Sequence, residues 1–374
     1  MNLTRPLAVA MKELRQLRRD RLTMGMMVAL PVMQLLMFGY AINNDVRNIP
    51  TVVYDQDRSA SSRDLSNSLE ATGYYDIIGE VRSYHEVDVA LRSATARVGL
   101  VIPPDYERDI ARAHPTKVRL VLDGSDPQTV ASASGTASSV IAARAAILQM
   151  ERLGPKAGAA LPITLEPTIW YNPDLRTAVF IVPGLVGIIL MMTMVMLTSM
   201  AIARERERGT LEQLIVSPVK SVELMIGKLL PFIVIGYIQM TLILILGYFV
   251  FDVPIAGSVG LLYAMTSLFI AANLALGLFF STLVQTQQQA MQLTFFFILP
   301  NILLSGFMFP FEGMPVPAQW FAEGLPLTHF LRIVRGIVLR NATFEDLGEE
   351  ALAIGAIFAI LVLMSSLRFR KRLG

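Results

Sequence analysis

Arg204-Glu205-Arg206-Glu207-Arg208-Gly209-Thr210-Leu211-Glu212-Gln213-Leu214-Ile215-Val216-Ser217-Pro218 decides how this chain is read, because a dense charge cluster and a short capped helix stand between two long apolar runs. One run, Ala178–Ala203, ends at the cluster, and the next begins near Leu229. Thr210 and Gln213 have capping-box spacing: the hydroxyl accepts from the third helical N–H while the Gln side chain reaches back to the cap. The spacing predicts a helix from Leu211 with Leu211, Leu214 and Ile215 on one face. Pro218 ends it or, with Ser217 as cap, opens the next. A short amphipathic helix held close to a bilayer reads as a docking surface on the cytoplasmic side. The alternative is a solvated loop whose arginines only set topology.

Composition points to the bilayer as solvent: 53% of residues are hydrophobic and 17% charged, against about 25% charged in soluble domains. No cysteine is present, which excludes disulfides and thiolate chemistry. Six segments approach the roughly twenty residues needed to cross the hydrocarbon core: Leu22–Ile42, Ala178–Ala203, Leu229–Phe251, Leu261–Leu283, Ala290–Phe309 and Ala351–Leu367. Arg15, Arg18, Arg19 and Arg21 precede the first, as in a signal peptide. Its apolar run is too long for a signal core, and Tyr40, Ile42 and Asn43 occupy the cleavage region, so an uncleaved span is expected. Basic residues cluster at the N-terminus, in the Arg204–Lys228 loop and in the tail Arg368-Phe369-Arg370-Lys371-Arg372, while Asp252–Gly257 has none. The positive-inside rule then places both termini in the cytoplasm.

The fold class expected is a mostly α polytopic membrane protein with an inserted α/β domain outside the cytoplasm. Residues 1–21 carry Leu3, Leu7, Ala10, Leu14 and Leu17 on one stripe with Lys12, Arg15, Arg19 and Arg21 around it, an amphipathic helix for the inner headgroup layer that anchors the first span, 22–43, or touches a partner subunit. Residues 44–175 have soluble composition. Strand patterns at Thr51–Tyr54, Val98–Ile102, Val118–Leu122 and Ile163–Trp170 alternate there with helical ones at Ser62–Ala71, Glu86–Ala96 and Asp105–Ala113. Asp126-Pro127 reads as an N-cap with proline at the first helical position, opening a helix to Leu153, about 40 Å long. The small-residue run 131–139 within it is either a packing surface or a hinge. Residues 176–374 hold five spans, the 204–218 segment and an outer stretch, 310–348, rich in Pro, Gly and aromatics. That stretch is expected as a re-entrant or interfacial helical hairpin, with Phe311, Trp320, Phe321 and Phe330 in the headgroup layer. Arg332, Arg335 and Arg340 follow on an amphipathic pattern against the positive-inside count, and ion pairing is preferred for them over lipid phosphates.

Searches for chemistry exclude more than they find. There is no Gly-x-x-x-x-Gly-Lys-[Ser/Thr] loop, and His85, His114 and His329 stand apart from each other and from metal-ligand spacing. No catalytic residue, metal ligand, cofactor or nucleic-acid partner is expected in this chain. The middles of the spans hold amides rather than charges. Gln239, Asn273 and Asn301 are candidate pathway residues, with interhelical hydrogen bonding as the structural alternative.

The chain resembles the permeases of bacterial ATP-binding cassette exporters, the type-2 ABC permease family in its drug-exporter-like branch, over nearly its whole length. The residues that carry the resemblance are Glu205-Arg206-Glu207-Arg208-Gly209-Thr210-Leu211-Glu212-Gln213-Leu214 with Ser217-Pro218, then Gly227-Lys228-Leu229-Leu230, and Leu325-Pro326-Leu327-Thr328-His329 followed by Arg335. The resemblance implies that the short helix is a coupling helix seated in a groove of a separate ABC ATPase subunit, with Glu205, Arg206, Glu207, Gly209, Thr210, Leu211, Glu212 and Leu214 as the coupling residues. It implies ATP and Mg2+ on that ATPase, none on this chain, and a second copy or similar permease as partner. A periplasmic adaptor and membrane lipids are further partners to expect. The location implied is the bacterial cytoplasmic (inner) membrane, and the activity is outward movement of a hydrophobic or amphipathic substrate. The competing class is a non-transporting scaffold or receptor whose outer domain binds an envelope partner.

Overall fold

A computed structural model describes residues 46–112, 114–153, 163–209 and 221–368, with the side chains of 151–153 and 221–228 outside the description. Its first part is a five-stranded sheet: β1 (Ile49–Asp55), β2 (Tyr75–Glu80), β3 (Val98–Ile102), β4 (Thr116–Asp123) and β5 (Ile163–Trp170), in the order β2-β1-β3-β4-β5. All neighbours are parallel except β3 and β4. Period-two alternation sorts the strands onto two faces. Ile49, Val53, Val98, Leu100, Ile102, Val118, Leu120 and Leu122 pack beneath α1 (Ala60–Glu70), α3 (Tyr106–Ala111) and α4 (Pro127–Leu153). Val52, Val101 and Val121 face α2 (Tyr84–Arg92) through Val87 and Leu91. The expected strands appear in place. The sequence reading missed β2, where the adjacent Ile77 and Ile78 and the following Gly79 blur the alternation, although Tyr75 is buried and Ile78 exposed.

Asp126 caps α4 as read, its carboxylate accepting from Gln128 N (3.0 Å) and the Thr129 hydroxyl (3.0 Å). The small-residue run is a packing surface. Val130, Ala133, Ala137, Ile141 and Ala145 repeat on one buried stripe, and the Ala133 carbonyl accepts from the Tyr75 hydroxyl across the fold.

Beyond the sheet the chain is helical: α5 (Thr177–Glu207), α6 (Ser221–Phe251), α7 (Val259–Leu283), α8 (Gln287–Leu304), α9 (Val316–Glu323), α10 (Pro326–Arg340) and α11 (Gly348–Arg368). Among the described residues, four helices are long and apolar enough to cross a membrane: α5, Leu229–Phe251 of α6, α7 and α11. The chain is an integral membrane protein. α5 spans about 46 Å at 1.5 Å per residue, and the sheet lies at its start. α5 and α7 form the centre of the bundle. They touch where Gly277 leaves no room for a side chain, an added Cβ standing 2.8 Å from the Val195 carbonyl oxygen. α10 is embedded among α5, α7 and α11, with thirteen of its fifteen residues buried. Phe330 is therefore a core residue and not a headgroup one, stacked on Phe269 at 4.0 Å. Trp320 and Phe321 of α9 are exposed. Apolar side chains of α6 and α11 such as Leu242, Phe249, Leu352 and Leu363 face outward, as lipid-solvated helices require.

Candidate functional site

The end of the bundle far from the sheet is built on the last turn of α5. Gly209 stops the helix in the left-handed region (φ +69°), its N–H reaching the Arg206 carbonyl at 3.1 Å while Arg208 N reaches the Arg204 carbonyl at 3.0 Å. That turn is tied to its neighbours. Arg206 Nη1 donates to the carbonyls of Ser281 (3.0 Å) and Val284 (2.5 Å), which α7 leaves unpaired at its C-terminus. Arg204 Nε donates to Gln287 Oε1 at 3.0 Å, and Glu207 Oε2 accepts from Gln287 Nε2 at 3.0 Å. The end of α5, the end of α7 and the start of α8 thus share one polar network. Of the residues singled out for coupling, Glu205, Arg206, Glu207 and Gly209 lie here, while Thr210, Leu211, Glu212 and Leu214 lie outside the described residues.

The three amides of the apolar helices are not brought together. Gln239 Nε2 donates to Thr193 Oγ1 of α5 at 3.2 Å, an interhelical bond. Asn273 and Asn301 are fully buried but donate within their own helices, to Phe269 O (2.8 Å) and Phe297 O (2.9 Å). For these two, the expectation of bonds between helices is corrected. A short amide reaches the carbonyl four residues back more readily than a neighbouring helix. All three carbonyl oxygens lack a partner among the described residues.

The sheet end carries the densest buried charge, and the sequence reading did not assemble it. Asp123, at the end of β4 and fully buried, accepts on one carboxylate oxygen from Arg97 Nη1 (2.8 Å) and Arg340 Nη1 (3.1 Å), while Arg97 Nε reaches Glu312 at 3.1 Å. Arg97 and Asp123 belong to the sheet, Arg340 and Glu312 to the helical part, so the pairs clasp the two together. Burial alone would push the Asp123 carboxyl up, but Arg340 and Arg97 pull it below the usual carboxylate range. The same acid partners keep the buried Arg97 guanidinium firmly charged. Beside this clasp, His329 Nδ1 lies 2.5 Å from Glu350 Oε2 and Nε2 lies 2.9 Å from the Glu323 carbonyl; Arg332 bridges Glu323 (2.7 Å) and Glu350 (3.1 Å). Burial opposes the imidazolium, yet the bonds to Glu350 and Glu323 outweigh it and raise the His329 pKa above 6.5. Arg335 lies over the Phe180 ring at 4.1 Å and donates to the Gly306 carbonyl at 3.0 Å. The three arginines that defied the positive-inside count are thus neutralised or stacked inside the protein. Arg340 and its partner Asp123 stand 217 positions apart in sequence. The one available signal was that unexplained trio of arginines.

Between sheet and helices opens a cleft of about 1020 Å³ lined by Arg47, Asp76, Phe311, Met314, Glu345 and Glu349 among others. Among the described residues no group of acids and histidines is placed to hold a metal ion.

Comparison with known proteins places these features in a lineage. The family model described as "ABC-2 family transporter protein" matches residues 21–367. The chain is 30% identical over 336 residues, 89% of each chain, to the probable multidrug ABC transporter permease YbhR of Escherichia coli (strain K12). It is 30% identical over 370 residues to the probable multidrug ABC transporter permease YbhS of that organism, covering 98% of this chain and 97% of the relative. The inner membrane transport permease YhhJ, also from Escherichia coli (strain K12), is 27% identical over 370 residues with the same coverage.

Proposed function

This chain belongs to the ABC-2 family of transporter proteins, and we propose on that premise that it is the transmembrane permease subunit of an exporter, dimerising with a second copy or a similar permease. Separate ABC ATPase subunits, which carry ATP and Mg2+, dock on the 204–218 segment and the amphipathic residues 1–21. The substrate moved outward is hydrophobic or amphipathic, a reading supported by the multidrug names of its relatives. In this arrangement the chain crosses the bacterial inner membrane six times, through 22–43, α5, α6, α7, α8 and α11, with both termini in the cytoplasm. Residues 44–175 and the re-entrant hairpin 310–348 then lie outside, where a periplasmic adaptor would bind.

The observation that carries the mechanical part is the shared network of Arg204, Arg206, Glu207, Gln287 and the α7 terminus. A displacement of the coupling segment reaches α5, α7 and α8 together, because their ends are joined by charge-assisted bonds rather than by loose loops. The test is co-purification of the ATPase. Leu214→Asp buries a charge in the docking groove and should abolish assembly. Thr210→Ala removes the N-cap expected from the sequence spacing, where such a cap contributes about 1 kcal/mol, and should weaken assembly modestly. Undiminished capture of the ATPase by the Leu214→Asp protein would refute the docking assignment, and absence of substrate-stimulated hydrolysis in the intact complex would favour a scaffold.

A further inference from the structure

Behind the Asp123 clasp lies a small pocket lined by Arg97, Ser125, Asp126, Ser305, Arg335 and Arg340, with a volume of about 30 Å³. Four buried polar atoms there have no partner among the described residues: Arg335 Nε and Nη2, Arg340 Nε and Ser305 Oγ. Ser305 and Arg340 are each 3% exposed, so bulk solvent does not reach them freely. Three of the four atoms are obligate donors, and leaving a guanidinium N–H unsatisfied in the interior is costly. The occupant must therefore accept hydrogen bonds. It must also tolerate the carboxylates of Asp126 and Glu312, which line the same pocket. A halide or other small anion satisfies the first requirement and is drawn by the lining guanidiniums of Arg97, Arg332, Arg335 and Arg340, but it cannot donate to the two carboxylates. A cation reverses the fault. Water accepts from guanidinium and hydroxyl and donates to carboxylate.

We infer that this pocket is a structural water site, holding about two water molecules that bridge Arg335 and Arg340 to Asp126. The volume fits, since one buried water needs roughly 10–15 Å³ by this measure and two to four polar partners. The bridge has a defined place in the fold. Asp126 caps the 27-residue helix α4 of the sheet domain, while Arg335 and Arg340 belong to α10 in the middle of the helical bundle. The direct pairs at Asp123 and the water-mediated link at Asp126 are thus two halves of one joint. Burial pushes the Asp126 carboxyl up and Glu312 pushes it further, outweighing the pull of Arg335 and Arg97.

The experiment is a cryo-electron microscopy map of the full chain in nanodiscs, at a resolution near 2 Å where ordered water is visible, with a bromide-containing crystal for anomalous scattering. The expected result is one or two density peaks within hydrogen-bonding distance of Arg335, Arg340 or Ser305 and of Asp126, and no bromide signal there. A pocket without density when the surrounding side chains are sharp, or a bromide peak in it, would overturn the inference. Ser305→Val supplies a second reading. It should lower the melting midpoint if water is displaced from its donors; an unchanged or raised midpoint would mean the pocket is dry and would also overturn it.

Discussion

Replacing Asp123 by Asn tests whether the sheet domain is held to the bundle by charge. The substitution keeps the shape and one acceptor oxygen, so the bond to Ser125 N (3.0 Å) survives, while the carboxylate that receives both Arg97 and Arg340 loses its charge. Arg97 retains Glu312 as a partner. Arg340, only 3% exposed, is left with a weak backbone contact to Arg332 at 3.4 Å. Removing one partner of a buried pair typically costs about 3–5 kcal/mol, because the other charge stays desolvated without compensation. At roughly 2 °C per kcal/mol for a large chain, the melting midpoint in detergent should fall by about 6–10 °C. Adding Arg340→Met to Asp123→Asn should recover part of that loss, since the stranded charge is removed with it; a double-mutant cycle should give a coupling of about 2 kcal/mol or more. The reasoning is refuted if Asp123→Asn melts within about 1 °C of the parent, or if the two losses simply add. Because the folded carboxyl is held below its ordinary value, the stabilisation is present above the unfolded pKa near 3.9. It is lost as pH falls through the folded value, so the clasp should be indifferent to pH between about 5 and 8.

Other expectations concern separate parts of the molecule. The raised pKa of His329 gives stability that is fully present below about 6.5 and lost as pH rises through the folded value; the melting midpoint should drop as pH rises above about 6.5, and His329→Gln should flatten that dependence. Gly277→Ala drives a methyl into the Val195 carbonyl and should destabilise by about 1–3 kcal/mol; a silent substitution would show that α5 and α7 do not meet as described. Asn273→Leu removes a buried carbonyl that has no partner among the described residues and should be neutral or mildly stabilising, leaving the substrate profile of ATPase stimulation intact; a shifted profile at normal stability would return this residue to the pathway. Lys117→Cys places the only thiol of the chain on an exposed strand position, and an impermeant maleimide should label it in intact spheroplasts if the sheet domain lies outside.

The sequence by itself determined what depends on local spacing and on solvent. Leu229–Phe251 of α6 and the apolar α11 announce lipid because apolar side chains surround the whole helix, and Asp126-Pro127 announces α4 because capping involves residues one to three positions away. Val98–Ile102 and Val118–Leu122 were legible as short β-rich runs, but the tie of Arg206 to the end of α7 was not, because Ser281 and Val284 lie 75 and 78 positions away. What the tertiary structure decided is what distance along the chain conceals. Nothing near Arg340 names Asp123, and nothing in the pattern of α10 says that Phe330 lies against Phe269 rather than at the headgroups. An amphipathic period reports that one face is polar, but the choice between lipid phosphate, water and a buried carboxylate is made by which element folds against it. For Arg340 that element is the sheet domain and for Arg332 it is α11 with the end of α9, and the desolvation of these arginines demands acids that only the assembled fold brings within hydrogen-bonding reach.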